Sequence, residues 1–256
     1  MLNRREFCLA VGAAMLVPKG IAATQSDEVF VPRVFQNAKK QSIPYRLFVP
    51  QAGDKQKRYP MVLWLHGAAG RGSDNLKQIT GGNAIGTHIW TTTKNQSKNP
   101  CFVIAPQCPE DETWATANEL KPAVALQLAL ELLHELQSTF SLDLQRVYLA
   151  GQSMGGFGTW SAISTHPELF AAAIPLCGGG NEAAASKLTR TPIWAFHGDQ
   201  DESVNVRRSR TMIAAIRQAG GNPKYTEYKD VGHAVWEKAF REPGLLPWVF
   251  AQKKSA

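Results

Sequence analysis

Apolar residues gather in five short runs, at positions 61–65, 102–105, 147–150, 171–176 and 193–196. Runs of this length that are apolar throughout predict strands buried on both faces, as in a parallel sheet. Between them the period changes. Over 122–140, Ala125, Leu128, Leu132 and Leu136 recur at helical spacing behind Pro122, a residue suited to a first helical turn. Positions 154–166 and 204–219 predict two more helices, the second closed by Gly220-Gly221. Leu126, Leu130 and Leu133 are expected in the core. Ahead of these, 29–35 and 45–49 read as strands joined by the polar stretch 36–42, an antiparallel opening ribbon, and 224–228 is strand-like. The alternation predicts a single-domain α/β fold. Its central sheet is mostly parallel, with helices on both faces and no large lid. In such sheets chemistry collects in the loops at the carboxyl ends of the strands.

The 256 residues are 44% hydrophobic and 19% charged, which suits one domain with a large core and lies far from the composition of disorder. Residues 1–23 read as an address rather than as fold. Asn3-Arg4-Arg5 leads into an apolar run over 8–17, and Gly20-Ile21-Ala22-Ala23 supplies small residues, with cleavage expected after Ala22 or Ala23. The run is too short to span a bilayer. Adjacent arginines followed by Glu6-Phe7-Cys8-Leu9 look like a bacterial twin-arginine signal. That predicts a periplasmic or secreted destination, the export machinery as a partner, and 24–256 as the mature domain.

The formal charge is +7, of which Arg4, Arg5 and Lys19 against Glu6 account for two. The remaining excess is scattered along the chain without interleaved aromatics, so neither a nucleic-acid partner nor stable membrane insertion is expected. Beyond the signal stand Cys101, Cys108 and Cys177, with no C-x-x-C pair and no metal-ligand spacing. Cys101 is expected as a buried small hydrophobe. A Cys108–Cys177 bridge stays open.

The chemistry-bearing stretch follows the strand that ends near 150. Gly151-Gln152-Ser153-Met154-Gly155-Gly156 has the form G-x-S-x-G between a strand and a helix, a sharp turn that lifts a serine hydroxyl clear of the surface. The helix that follows aims its amino end at that oxygen. A serine needs a base within reach, itself held by a carboxylate, and in this arrangement acid and histidine follow the serine. His66, His88 and His134 precede it, His166 lies in its own helix, and His197 precedes the candidate acids. His233, in a loop after 224–228, remains. Asp199 and Asp201 are both placed to be the acid, and Asp230 is expected as a turn residue. Oxyanion donors are expected in the backbone N–H of Met154 and of Ala68, the latter in the small-residue loop His66-Gly67-Ala68-Ala69-Gly70. That loop lacks the Gly-Lys-Ser/Thr of a phosphate loop.

Together these segments resemble the α/β-hydrolase superfamily. Leu65-His66-Gly67-Ala68-Ala69-Gly70-Arg71-Gly72-Ser73-Asp74-Asn75 and Ala105-Pro106-Gln107-Cys108-Pro109 are similar to its phospholipase/carboxylesterase and dienelactone-hydrolase-like branch, which includes secreted esterases. The resemblance covers 29–253. It implies that Asp201, the second aspartate of His197-Gly198-Asp199-Gln200-Asp201, is the acid, with Asp199 shaping the loop. Dienelactone hydrolases proper use cysteine where this chain has Ser153, which argues against that activity. What is implied is a serine carboxylesterase for short or aromatic acyl esters, small or polysaccharide-linked, without metal or cofactor. Trp114 and Trp236 are candidates for the pocket wall. The alternatives are a peptidase or polyester depolymerase on the same scaffold, or a binding protein that kept the fold.

Overall fold

The computed structural model describes residues 29–51, 57–115 and 122–254, and the export signal expected over 1–23 lies outside them. Eight strands form one sheet: β1 (Val31–Gln36), β2 (Ser42–Phe48), β3 (Tyr59–Leu65), β4 (Phe102–Pro106), β5 (Leu142–Gln152), β6 (Ala172–Leu176), β7 (Trp194–Gly198) and β8 (Lys224–Tyr228). Their spatial order is β1-β2-β4-β3-β5-β6-β7-β8. The opening ribbon β1–β2 and the β2–β4 pair are antiparallel, and every other neighbouring pair is parallel. Helices α1 (Ala84–Thr91), α2 (Thr93–Lys98), α3 (Val124–Thr139), α4 (Met154–Thr165), α5 (Arg207–Gln218), α6 (Trp236–Ala239) and α7 (Leu245–Ala251) complete the fold. Among the described residues no helix is long and apolar enough to cross a membrane.

The period of two along a strand decides which core each side chain joins. In β3, Met61, Leu63 and Leu65 meet Leu126 and Leu132 of α3, Trp160 and Ile163 of α4, and Met212 of α5. Val62 and Trp64 point the other way, toward Trp90 of α1, Ala239 of α6 and Val249 of α7. Each fully buried large side chain contributes about 1.5–3 kcal/mol. A strand that serves two cores reads as a continuous apolar run, which is why β3 and β4 stand out in the sequence.

Several boundaries differ from the expected ones, β2 among them, which begins at Ser42 rather than 45, and three of the differences have a local cause. β5 begins at Leu142, which pairs with Tyr59 of β3 across a register shift, while residues 143–146, with Leu144 the one apolar side chain, remain partly or largely exposed. α3 begins at Val124, two residues after Pro122, and the Glu112 carboxylate accepts the N–H of Ala125 at 3.0 Å, satisfying an amide of the first turn. α5 begins at Arg207, since residues 203 and 204 are drawn into a turn around Asp201. The pair α1–α2 had no counterpart in the apolar pattern. Its threonines, asparagine and glycine are weak helix formers, and the buried Trp90, whose indole N–H donates to Gly86 O at 2.7 Å, ties α1 to the sheet.

Candidate active site

Between the end of β5 and the start of α4 a single residue, Ser153, turns the chain with φ 53° and ψ −117°. A non-glycine residue held there costs on the order of 1–3 kcal/mol and persists only when its surroundings over-determine it. The Ser153 N–H donates to Leu176 O at 2.9 Å. On either side, glycine supplies clearance. A Cβ on Gly155 would lie 1.9 Å from Leu65 O, and one on Gly151 would lie 2.3 Å from Gly155 O. The elbow therefore demands the G-x-S-x-G spacing, and it presents the hydroxyl beside the amino end of α4.

His233 comes from the loop after β8 and Asp201 from the loop after β7. The Ser153 hydroxyl donates to His233 Nε2 at 2.8 Å, and His233 Nδ1–H donates to Asp201 Oδ2 at 2.7 Å. The other carboxylate oxygen, Oδ1, accepts the N–H groups of Ser203 and Val204 at 2.9 and 2.8 Å. The Asp201 side chain is fully buried while a quarter of the His233 side chain is exposed, so the carboxylate is held dry and the imidazole faces the opening. Asp199 instead accepts the N–H of Asp230 at 2.8 Å, where Asp230 takes a positive φ of 57°.

Ser153 and His233 line a cavity of about 210 Å³ with Gly67, Ala68, Ala69, Gly82, Asn83, Gln152 and Trp236. Ala68 opens a short 3-10 turn and Met154 opens α4. First residues of helical turns have no carbonyl one turn back to receive their N–H, which leaves both amides available beside the serine. The Ala68 loop is braced from two directions. Gly67 N–H donates to Asn83 Oδ1 at 3.0 Å, and Gln152 Nε2 donates to the same oxygen at 3.2 Å and to Gly82 O at 3.0 Å. From beneath, His66 donates through Nδ1 to Gly67 O at 2.6 Å and accepts the Cys108 N–H at Nε2 at 2.9 Å. Complete burial pushes the His66 pKa down to about 4, so the ring stays neutral with both nitrogens occupied. Asn83 was not singled out in the sequence, and Gln107, which donates to Gly70 O at 3.1 Å and Asp74 Oδ1 at 2.9 Å, entered there only as part of the segment 105–109, with no role given.

The two tryptophans part company. Trp236 lines the cavity, its ring edge-on to His233 with centroids 5.4 Å apart. Trp114, expected at the pocket wall, is instead fully buried. Its indole N–H donates to His66 O at 3.0 Å and its ring meets the His66 ring edge-on at 5.1 Å. The chain leaving β4 turns inward because Cys108 exchanges backbone and side-chain hydrogen bonds with the 66–72 loop, and Trp114 follows it into the core.

Cys101, Cys108 and Cys177 are all buried free thiols, so Cys108 and Cys177 are not bridged. Cys177, Asp201 and His233 bring one potential ligand atom each within 4.8 Å of one another. Burial pushes the Cys177 thiol well above its ordinary pKa, and a protonated thiol is a poor metal ligand. Asp201 and His233 already satisfy each other. A larger hollow of about 500 Å³ lies at the amino ends of β5, β6 and β7, among Gln145, Phe170, Lys187 and Arg190, and is lined by neither serine nor histidine.

A family described as esterase matches residues 37–234. Over 171 residues the chain is 28% identical to a bifunctional acetylxylan esterase/xylanase of Neocallimastix patriciarum, covering 66% of this chain and 23% of that protein. It is 27% identical over 134 residues to poly(3-hydroxyalkanoate) depolymerase C of Paucimonas lemoignei, covering 50% of this chain and 30% of the other. A solved thermostable esterase superposes with a TM-score of 0.85 at 36% identity, over 89% of this chain and 64% of that one. The chain thus spans under a third of these two curated relatives and about two thirds of the solved esterase.

Proposed function

The chain belongs to the esterase family of α/β-hydrolases, and from that premise we propose that it is an exported serine carboxylesterase that cleaves short or aromatic acyl esters by way of an acyl-enzyme. The observation that carries the proposal is the unbroken line from Ser153 Oγ through His233 to Asp201, with steps of 2.8 and 2.7 Å, opening into a small cavity. In the first step His233 Nε2 takes the Ser153 proton as Oγ attacks the ester carbonyl. Asp201 holds the imidazole in the tautomer with hydrogen on Nδ1 and stabilises the imidazolium that forms. The N–H groups of Ala68 and Met154 receive the oxyanion. The alcohol leaves with the proton from His233, and water repeats the cycle to release the acid and restore the serine.

The cavity, with glycine and alanine on one side and Trp236 on the other, suits a small or flat acyl group. The name of the acetylxylan esterase/xylanase relative favours esters carried on polysaccharide, and that of the depolymerase favours polyester. Both leave the same bond to be broken. The decisive experiment is Ser153→Ala assayed on chromogenic esters of increasing acyl length and on the matching anilide. Turnover should fall about 10⁵- to 10⁶-fold, as in an analogous serine hydrolase, and covalent labelling of the wild type by a fluorophosphonate should vanish. Ester turnover that survives the substitution removes Ser153 as nucleophile. Faster cleavage of the anilide than of the ester turns the reading toward a peptidase.

A further inference from the structure

A second imidazole touches the acid of this relay. His197, at the end of β7, has no exposed surface, and the cycle above does not use it. Its Nε2 lies 2.9 Å from Val204 O and 3.2 Å from Asp201 Oδ2. Both neighbours only accept, so Nε2 carries the hydrogen and shares it between them. Its Nδ1 lies 2.7 Å from the hydroxyl of Ser209 in the first turn of α5. Burial lowers the pKa of the ring, so it stays neutral and Nδ1 accepts from Ser209.

The consequence falls on the carboxylate. Two backbone N–H groups hold Oδ1, but because the torsional well about the Cβ–Cγ bond is broad, they set the carboxylate plane only as tightly as those two bonds allow. At Oδ2 the His233 N–H donates at 2.7 Å, and the His197 N–H, bonded to Val204 O, lies 3.2 Å away and narrows that well further. We propose that His197 is a positioning residue: it fixes the plane of the Asp201 carboxylate, by way of Ser209 and α5, so that Oδ2 meets His233. The proposal rests on the Ser153–His233–Asp201 reading given above.

Three substitutions separate positioning from packing. The amide nitrogen of Gln reaches the place of His Nε2, that of Asn reaches only the place of Nδ1, and Phe fills the volume without a donor. His197→Gln should keep kcat within about threefold of the wild type, whereas His197→Asn and His197→Phe should lower it about 10- to 100-fold, the scale of a misplaced catalytic group. KM should stay unchanged in all three. A purely structural role would lower Tm without the split between Gln and Asn. Wild-type kcat in His197→Asn and His197→Phe overturns the proposal, and so does a kcat that tracks Tm through all three variants. A measurement on the unaltered protein needs no variant to fold: nitrogen-15 NMR should find His197 protonated at Nε2 and bare at Nδ1, and the reverse tautomer, which has nothing to donate to Asp201, defeats it. Ser153→Ala and Asp201→Asn run alongside. If they retain turnover, the relay itself is wrong; if they are inactive while the His197 variants are unaffected, only the positioning role falls.

Discussion

Acid should destabilise this protein through His66, a residue that takes no proton in the proposed reaction. In the unfolded chain the ring titrates near its ordinary 6.5, whereas burial holds it to about 4 in the folded protein. Between those values the unfolded state binds a proton that the folded state refuses. Stability therefore falls as pH drops from 6.5 toward 4, and the loss is complete only below 4. At 1.36 kcal/mol per pKa unit, the separation amounts to about 3 kcal/mol, a large share of the 5–15 kcal/mol that typically holds a domain together. The ring is completely buried, so solvent screening does not dilute the figure. His66→Gln isolates the effect, since its carbonyl oxygen can still accept the Cys108 N–H while nothing titrates. Urea unfolding of both proteins at about pH 7.5, 6, 5 and 4 cancels the other titrating groups when the curves are subtracted. The wild type should lose about 3 kcal/mol more than the variant over that span. Parallel curves would mean that His66 accepts a proton in the folded state, and the bracing of the Ala68 loop by a neutral imidazole would be wrong.

Two further substitutions test the parts around it. Asp201→Asn should lower kcat about 10⁴-fold, as the loss of the acid does in other triads, while Asp199→Asn, which disturbs a turn at Asp230, should leave turnover close to that of the wild type; steady-state kinetics showing the opposite order moves the acid to Asp199. Trp114→Phe keeps the buried ring but strands His66 O, at a cost of about 1–3 kcal/mol in unfolding free energy, with KM unaltered, whereas Trp236→Ala should shift kcat/KM toward bulkier acyl groups with little change in stability. A Trp114 variant whose acyl preference moves instead would return that residue to the pocket wall.

The parts of the fold that were legible in the sequence are those whose signal is local. A strand buried on both faces is apolar at nearly every position, so β3, β4, β6 and β7 declare themselves, with His197 at the end of β7 the exception. The buried half of β5 does so too, but its exposed stretch, 143–146, falls in a register shift against β3 and carries no such mark. α3 repeats its leucines at helical spacing along one face, whereas α1 and α2 are short, polar and held by what they pack against. Ser153, in the proposed relay, was legible for a different reason, whereas Asp201 rested on the family resemblance. The elbow requires glycine two places either side of Ser153, and that requirement is written within five residues.

What holds the site in place leaves no comparable trace. His66 meets Cys108 across 42 positions, Gly67 meets Asn83 across 16, and Trp114 meets His66 across 48. Each contact joins loops that the sheet brings together only after folding. A buried tryptophan and a pocket tryptophan look alike in the sequence, because both are large aromatics after a strand end. What separates Trp114 from Trp236 is the direction in which the loop turns, and the bonds between Cys108 and the 66–72 loop set that direction. Histidines obey the same logic. Chain order after Ser153 selected His233 and set aside His66 and His197, yet His66 braces the loop of one expected oxyanion donor and His197 contacts the acid. A rule that ranks histidines by order finds the one proposed to move a proton and passes over buried neutral ones that brace their neighbours. A buried imidazole whose two nitrogens both have partners is the structural mark of that second class.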